Sequence, residues 1–447
     1  MSKSTIKEAD HNVDFATLQD VWRSRGYGNL LDIGPNGYTV YEETSVSCLP
    51  VFEGSLDELA EHYVDLQVSP RGQAFSARRA VGLTRHGFRR LNALPHGCTV
   101  ADAERRFDPE YNFEVFWHTF AEHYALFELK GVDWQSMYST YRPMVDAETG
   151  HRRLFQIFVE MLRPLSDGHV QLHTTCGHFN AGAAVPLHDR LAAELDKADD
   201  AREVSSYLAE LREWLLDTIR EDYLQSRSRR SGSRHLEWGQ LDDATGYLAI
   251  RAMAGLSGHV GQPRLDLQAV DAAMEQVMEE MGHLATLVVD LRGNGGGYDA
   301  VALRLASYLT DRKRLAFSKS ARHGTSYTGK QNVYVEPRAD RRYAGRLVIL
   351  TSGLTASAAE VFVLALLQHP RLTLIGEPTH GILSDAMERH LPNGWFMSLS
   401  NEIYQAFDGE LYENDGIPPH VEIPFLDQRN REAGRDPMLD FVMDISP

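Results

Sequence analysis

Cysteine is scarce in this chain of 447 residues. The three cysteines, Cys48, Cys98 and Cys176, are odd in number and far apart in the sequence. A small secreted domain that relies on disulfides needs several closely spaced cysteines. We therefore expect no disulfide framework, and we predict a reducing, cytoplasmic location.

Positive charge is also in short supply. Lys and Arg number 45 against 63 Asp and Glu, which gives a formal net charge of −18. A nucleic acid or an anionic membrane attracts a basic protein face, so this balance argues against both partners. No apolar stretch approaches the roughly 18 to 20 residues of a membrane span. The first 15 residues lack the apolar run of a secretory signal, and we expect none there.

The length of the chain is enough for two or three domains. Residues 1–105 alternate short apolar runs with turn signals, and "GPNG" predicts a β-hairpin, so we expect an N-terminal antiparallel β-domain. Residues 106–235 have apolar and aromatic residues at helical spacing, which predicts a helical bundle with an aromatic core and a helical linker. Residues 236–447 alternate strand-like and helix-like segments, which predicts an α/β core with a largely parallel sheet.

Two predicted strand-to-helix turns are rich in small residues. The first is "VVDLRGNGGGYDA", residues 288–300, whose backbone N–H groups would suit an anion. It matches neither GxGxxG nor a P-loop, so a nucleotide site is disfavoured. The second is "GLTASAAEVF", residues 353–362, where Ser357 would stand at a helix N-terminus that favours developing negative charge. Taken alone, these segments could equally be a tight turn and a helix cap without chemistry.

A histidine lies at a third boundary between elements. In "LSDGHVQLHTTCGH", residues 165–178, His169 follows an Asp-Gly turn and begins a strand-like run. It could be a general base or a hydrogen-bonded structural histidine. A fourth segment, "LYENDGIPPHVEI" at 411–423, is by itself typical of a loop.

The histidine-rich segment also allows a metal hypothesis. Neither HExxH nor a CxxC pair is present and no carboxylate is in register, so zinc is the weaker alternative. Its ligands would be His169, His173, Cys176 and His178.

Together and in this order, these segments resemble the tail-specific, or C-terminal processing, serine peptidases. Relatives of that family are the tricorn core protease and the interphotoreceptor retinoid-binding protein. The matching pieces are "LSDGHV", "GYLAI", "VVDLRGNGGG", "TASAAEVF", "IGEPTHG", "LPNGW" and "DGIPP", which lie between residues 108 and 425. The resemblance implies a crotonase-like (ClpP-type) β/α core, with Ser357 as the nucleophile. It further implies an oxyanion hole formed by the backbone N–H groups of Gly296 and Ala358. We expect neither a metal nor a cofactor.

The chain departs from the best-known branch of the family at the general base. That branch pairs its serine with a lysine 25 positions later, and counting from Ser357 gives Ile382, which cannot accept a proton. In the tricorn-like branch a histidine is the base, and His169 matches it. A late glutamate helps to orient that histidine; Glu413 matches best, with Asp415 as a close competitor.

The PDZ module that tail-specific proteases usually carry is also missing, because residues 175–240 are typical of charged helices. The leading hypothesis is a serine hydrolase, most simply a peptidase that cleaves peptides or protein C-terminal tails through an acyl-enzyme. A homo-oligomer is compatible with it. One alternative is a non-catalytic binder of apolar ligands, as in the retinoid-binding relatives. Another is an esterase or lactonase that uses the same site.

Overall fold

The computed structural model of the protein describes residues 15–80, 82–99, 105–182, 185–259, 261–338 and 342–445. Residues 1–14, where we expect no secretory signal, lie outside the described part. The chain divides into two compact units. The first runs to Ala181 and takes in Ser320–Gln331 and Ala386–Glu402, and the second comprises the rest. The domain limits expected from the sequence, after 105 and after 235, stay predictions.

An antiparallel sheet forms the N-terminal part of the first unit. Its strands are β1 (Asp20–Ser24), β2 (Asn29–Ile33), β3 (Tyr38–Glu43), β4 (Cys48–Gly54), β5 (Tyr63–Val68), β6 (Ala74–Arg79) and β7 (Arg85–Leu91). Their spatial order is β4-β3-β2-β1-β7-β6-β5. Ile33 pairs with Tyr38 across the expected hairpin turn. Trp22, Phe75 and Phe88 are buried on one face of the sheet, so the prediction of an antiparallel N-terminal sheet is confirmed.

Two short helices accompany this sheet, α1 (Leu56–His62) and α2 (His96–Thr99). Helix α1 begins at a capping box: Ser55 Oγ accepts from the Glu58 N–H (3.2 Å), and the Glu58 carboxylate accepts from the Ser55 N–H (2.7 Å). These two bonds satisfy two N–H groups that the start of a helix otherwise leaves without partners.

One disulfide joins the start of β4 to α2. The sulfur atoms of Cys48 and Cys98 are 2.01 Å apart and their Cα atoms 4.8 Å apart, although 50 residues separate them in sequence. The sequence led us to expect no disulfide framework, and for this pair that expectation is wrong, because separation along the chain does not limit proximity in a folded sheet. Cys176 is an exposed, unpaired cysteine.

Helices follow the N-terminal sheet. They are α3 (Pro109–His123), α4 (Phe127–Lys130), α5 (Trp134–Tyr141) and α6 (His151–Leu162). Helix α3 starts where Asp108 accepts from the Glu110 N–H (2.9 Å), with proline at the first helical position. The rings of Phe116 and Phe158 stack with centroids 3.9 Å apart, and both are fully buried. The expectation that these aromatic side chains form core is confirmed.

A small sheet completes the first unit. Its strands are β8 (Gln171–Thr174), β9 (Gly177–Asn180), β19 (Ala386–His390) and β20 (Phe396–Ser400), in the order β19-β20-β8-β9. All of its strand pairs are antiparallel.

The second unit is built on a seven-stranded sheet. Its strands are β10 (Arg229–Arg230), β11 (Leu236–Gln240), β12 (Thr245–Ile250), β13 (Thr286–Asp290), β17 (Arg346–Thr351), β18 (Leu372–Gly376) and β22 (Val421–Glu422), in the order β10-β11-β12-β13-β17-β18-β22. The pairs from β12 to β22 are parallel, and β10 and β11 are antiparallel. Strands β12 and β13 are buried throughout, as expected of parallel strands covered on both faces.

The helices of the second unit are α7 (Pro186–Lys197), α8 (Val204–Thr218), α9 (Pro263–Met281), α10 (Asp299–Ser307), α11 (Ala358–Leu366), α12 (Gln428–Glu432) and α13 (Pro437–Ile445). The remaining strands are β14 (Arg314–His323), β15 (Ser326–Tyr327), β16 (Gln331–Val335) and β21 (Glu402–Ala406), with β14 between β15 and β16 and also paired with β21. Strand and helix alternate as the sequence predicts. Because β13 and β17 pair in parallel, with Asp290 opposite Leu350, the two turns rich in small residues leave the same edge of the sheet.

Candidate active site

The turn that carries Ser357 connects β17 with α11, and its small polar residues fasten it to the end of β13. Thr355 Oγ1 donates to the carbonyl of Leu291 (2.9 Å), and Ser352 Oγ donates to the carbonyl of Arg292. Thr355 Oγ1 also accepts from the Ser352 N–H (3.1 Å). Larger side chains would push the two turns apart in an interior as closely packed as that of a protein. The small residues thus allow close approach of the turns.

The backbone of Ser357 is in an unusual conformation, with φ 55° and ψ −124°. Such a conformation costs a non-glycine residue about 1–3 kcal/mol. Ser357 directly precedes α11, whose first N–H groups have no partner within the helix and whose dipole favours negative charge. A serine on a strained strand-to-helix turn is the arrangement in which a hydroxyl nucleophile is presented by α/β-hydrolases.

The glycine turn after β13 packs directly against Ser357. Asn294 holds it in place, because its side chain donates to the Ile250 carbonyl (2.9 Å) and its carbonyl accepts from the Ala356 N–H (3.0 Å). A Cβ atom on Gly296 would lie 2.7 Å from Ser357 Cβ and 3.0 Å from the Ala358 nitrogen. The structure thus brings Gly296, Ser357 and Ala358 together. Because a Cβ atom would come so close to its neighbours, only glycine fits at position 296.

The Gly296 N–H itself is engaged in a hydrogen bond. It donates to Asn294 Oδ1 at 2.9 Å. To serve as an oxyanion donor, this N–H would have to be shared between Asn294 and the oxyanion or released by a small rotation of the turn. The Ala358 N–H lies in the first turn of α11, where N–H groups have no partner within the helix.

A buried carboxylate, Glu360, connects the Ser357 turn to the segment that contains Ile382. Its oxygens accept from four donors: the N–H of Ser357 (3.0 Å), Thr379 Oγ1 (2.6 Å), and the N–H groups of Gly381 (2.7 Å) and Ile382 (3.0 Å). Burial raises the pKa of Glu360 to about 7, although these hydrogen bonds oppose the shift. Glu360 is a site residue that we did not predict from the sequence. The S-x-x-E spacing of a capping box was the available signal.

A second buried carboxylate holds the next two residues of the same segment. One oxygen of Glu413 accepts from the N–H groups of Leu383 and Ser384, both at 2.9 Å. Glu413 is 4% exposed, whereas its competitor Asp415 is exposed and accepts from the side chain of Asn414 (3.0 Å). Glu360 and Glu413 together therefore bind four consecutive N–H groups, from residue 381 to residue 384.

His169 lies just before β8, in the first unit, with its backbone fixed on both sides. Its N–H donates to Asp167 Oδ1 (2.9 Å), and its carbonyl accepts from Ser398 Oγ (2.7 Å). Asp167 is fully buried and also accepts from the Tyr124 hydroxyl (3.0 Å). The His169 side chain is half-buried. The Asp-Gly-His motif thus fixes the backbone position of His169.

The expected site residues are divided between the two units. Ser357, Gly296, Ala358 and Glu413 belong to the second unit, and His169 belongs to the first. The roles of these residues stay predictions. In the described part of the chain, no group of three or more His, Cys, Asp or Glu is arranged to hold a metal ion. No described helix is both long and apolar enough to cross a membrane.

Comparison with known proteins places these motifs in a family. Residues 244–423 match the model of peptidase family S41, and residues 106–163 match the tricorn protease C1 domain. The carboxy-terminal processing protease CtpA of Bacillus subtilis is 27% identical over 148 residues, which is 31% of this chain and 30% of that protein. The chloroplastic C-terminal processing peptidase of Tetradesmus obliquus is 29% identical over 156 residues, 34% of this chain and 32% of that protein. The chain thus matches about a third of the length of these curated relatives.

Solved structures share the fold over more of the chain. A candidate peptidase from Parabacteroides merdae superimposes with a TM-score of 0.59 at 23% identity, covering 76% of this chain and 96% of its own. Mature CPAF gives a TM-score of 0.53 at 12% identity and covers 75% of this chain and 96% of its own. The fold is therefore the mixed α/β fold of these proteins. The S41 match across the glycine and serine turns, the C1 match before them and the two C-terminal processing relatives support a likeness to the tail-specific protease family over these parts of the chain.

Proposed function

We propose that the protein is a serine peptidase that cleaves peptides or protein C-terminal tails through an acyl-enzyme on Ser357. The observation that carries this proposal is the strained Ser357 at the N-terminus of α11, with Gly296 packed against it. A strained backbone conformation persists only where the surrounding structure enforces it, and residues in such conformations cluster at active sites. The names of the relatives in Bacillus subtilis and Tetradesmus obliquus support proteolysis near a C-terminus.

In this proposal, His169 is the general base. A serine hydroxyl is hardly ionised at neutral pH and needs a base within hydrogen-bond reach. Ile382 stands where a lysine would act, and its side chain holds no proton acceptor. An imidazole titrates near neutral pH and can take the Ser357 proton. We assign the orientation of the imidazole to Glu413, whose burial favours it over the exposed Asp415.

The steps follow from these roles. Ser357 Oγ attacks the scissile carbonyl carbon while its proton passes to His169, and the resulting oxyanion binds the N–H groups of Ala358 and Gly296. Collapse of this intermediate breaks the C–N bond, and His169 returns the proton to the leaving amine. Water, deprotonated by His169, then attacks the acyl-enzyme carbonyl. The bond from this carbon to Ser357 Oγ breaks, the acid leaves, and His169 returns the proton to Ser357 Oγ.

The finer fold assignment belongs to the same proposal. We propose that the second unit has a crotonase-like core and that α3, α5 and α6 form a helical bundle, supported by the Phe116–Phe158 stack. The cytoplasmic location and the homo-oligomer also stay predictions. For the location, the Cys48–Cys98 disulfide is contrary evidence, because such bonds persist mainly in oxidising compartments.

The proposal is tested by labelling the purified protein with a fluorophosphonate probe. We expect wild-type protein to be labelled, Ser357→Ala to be unlabelled, and His169→Ala to react about 100-fold to 10,000-fold more slowly, as for loss of a general base. His173→Ala is the matched control, since His173 lies on β8 in the same segment and is exposed, and it should react at the wild-type rate. Folded wild-type protein that resists the probe would refute the proposal. Turnover of ester substrates with no turnover of peptides would refute the peptidase assignment while keeping the serine.

A further inference from the structure

Glu360 lies in the first turn of α11, and its buried carboxylate accepts from four donors that are shared equally between its two oxygens. Oε1 accepts from Thr379 Oγ1 (2.6 Å) and from the Gly381 N–H (2.7 Å). Oε2 accepts from the N–H groups of Ser357 and Ile382, both at 3.0 Å. A carboxylate that carries no proton can satisfy all four donors at once.

A proton on Glu360 would have to compete with these donors. An ionised carboxylate only accepts, whereas a carboxylic acid carries a hydrogen of its own, which would meet one of the donor hydrogens. Three of the donors are backbone N–H groups, which cannot reverse their direction. The fourth, Thr379 Oγ1, already accepts from the Ile417 N–H (2.7 Å), so its own hydrogen points toward Glu360. Uptake of a proton must therefore break one of the four hydrogen bonds.

The bond that is most easily given up is the one from the Ser357 N–H. It is one of the two longer bonds, those at Oε2, and longer hydrogen bonds are weaker. The other long bond comes from Ile382, which is held on both sides because the N–H groups of Gly381 and Leu383 are also bonded to buried carboxylates. Ser357 has a strained φ of 55°, which its bond to Glu360 helps to enforce. Breaking that bond relieves strain.

Glu360 is balanced between its two protonation states. Burial disfavours the charged form and raises the pKa of Glu360 to about 7, whereas the four hydrogen bonds favour the charged form and oppose this rise. No ion pair of Glu360 is present in the described part of the chain. The titratable side chains on α10 and on the two segments packed around Glu360, residues 379–384 and 412–417, are those of Asp299, Arg304, His380, Tyr412, Glu413 and Asp415.

We propose that Glu360 is a positioning residue whose ionised form holds Ser357 in its reactive conformation, and that uptake of one proton by this carboxylate releases the Ser357 turn. The rate of attack by Ser357 then rises with pH as Glu360 ionises. The description of this conformation as reactive rests on the proposed function. The coupling between the proton and the turn rests on the hydrogen bonds of Glu360 alone.

Hydrogen–deuterium exchange of residues 353–362, followed by mass spectrometry and corrected for the intrinsic effect of pH, tests the coupling directly. We expect the segment in wild-type protein to lose protection between about pH 8.5 and about pH 5.5, on either side of the pKa of Glu360. Glu360→Gln, whose amide carries hydrogens as the protonated acid does, should exchange at the low-pH rate throughout. Protection in wild-type protein that does not change with pH would overturn the inference, whether or not the protein is a hydrolase.

The rate of fluorophosphonate labelling over the same pH range tests the consequence for Ser357. An imidazole base also titrates in this range, so the rate is expressed as the ratio of wild type to Glu360→Gln, in which the contribution of His169 cancels. We expect this ratio to rise by about tenfold or more from about pH 5.5 to about pH 8.5, following the ionised fraction of a group whose pKa is about 7. A ratio that stays constant would overturn the inference.

Thr379→Val and Thr379→Ser form a matched pair that leaves Ser357 and Glu360 intact. Valine removes a hydrogen bond that lowers the pKa of Glu360, so the midpoint of both pH profiles should move upward by about one pH unit. Serine keeps the hydroxyl and should keep the wild-type midpoint. Equal midpoints in the two folded variants would overturn the inference, even if Glu360→Gln does not fold. Wild-type protein that is unlabelled at every pH refutes the proposed function, and the exchange measurement still decides the role of Glu360.

Discussion

Replacing Gly296 by alanine is the sharpest test of the geometry around Ser357. The new methyl group would stand 2.7 Å from Ser357 Cβ and 2.8 Å from the Ala356 carbonyl oxygen, well inside contact distance. Gly296 also has φ +101°, a conformation that alanine adopts only with strain of about 1–3 kcal/mol. Overpacking adds about 1–3 kcal/mol. The substitution must therefore displace the Ser357 turn, and a shift of about 1 Å at a reacting group typically costs about 100-fold in rate.

Gly295→Ala is the matched control, because a Cβ atom there meets nothing within 4 Å and Gly295 has no positive φ. We expect Gly296→Ala to react with a fluorophosphonate about 100-fold or more slowly than Gly295→Ala and to melt at a lower temperature, as measured by circular dichroism. Equal labelling rates and equal melting temperatures for the two variants would refute the close packing of Gly296 on Ser357. The difference in melting temperature is expected even if the protein proves not to be a hydrolase.

Three further predictions concern strain, covalent cross-linking and charge. The free energy of unfolding in urea should be about 1 kcal/mol higher for Ser357→Gly than for Ser357→Ala, because the strain that glycine relieves at this positive φ is larger than the entropy that glycine costs. An equal or lower value for Ser357→Gly would contradict the strain. Denatured, unreduced protein should show one titratable thiol. Replacing Cys48 and Cys98 by serine should lower the free energy of unfolding by up to about 4 kcal/mol for a loop of this length. Three titratable thiols without reductant would exclude the disulfide. Burial alone would raise the pKa of Glu237, but Arg220 and a second arginine lower it to about 2. The stability from this group is present above the unfolded pKa near 4.3 and is lost as the pH falls toward 2. Glu237→Gln should therefore lower the free energy of unfolding by about 3 kcal/mol at pH 7 and weaken its decrease at acid pH, as measured by denaturation. An unchanged decrease at acid pH would contradict the ion pairs.

Local patterns in the sequence were sufficient to predict the elements and the small-residue turns. The β-hairpin before Tyr38 and the alternation of strand and helix after residue 236 depend on a few neighbouring residues or on simple rules for parallel sheets. The family resemblance, and not a local pattern, pointed to Gly296 as a neighbour of Ser357. Hydrogen-bond partners that are distant in the sequence could not be predicted in the same way. Asn294, for example, is bonded to Ile250, 44 residues away in the chain.

The contacts that could not be predicted join residues far apart in the sequence. Glu360 follows the serine by three residues, yet it contacts residues 19 to 22 positions later. The Cys48–Cys98 pair is separated by 50 residues, and no local pattern marks the two as neighbours. Long-range contacts of this kind depend on the completed fold, which is why the number and spacing of the cysteines led us to expect no disulfide framework.

The two buried carboxylates beneath residues 381–384 suggest how such a site could exchange one general base for another during evolution. Glu360 and Glu413 bind backbone N–H groups, so the scaffold does not depend on which side chain stands at position 382. A lysine there could be replaced by isoleucine without loss of a single one of these hydrogen bonds. The length of the segment, in contrast, is fixed, since inserting or deleting one residue would bring the wrong N–H groups to both acids. The side chain at position 382 is therefore free to change, whereas the length of the segment is constrained.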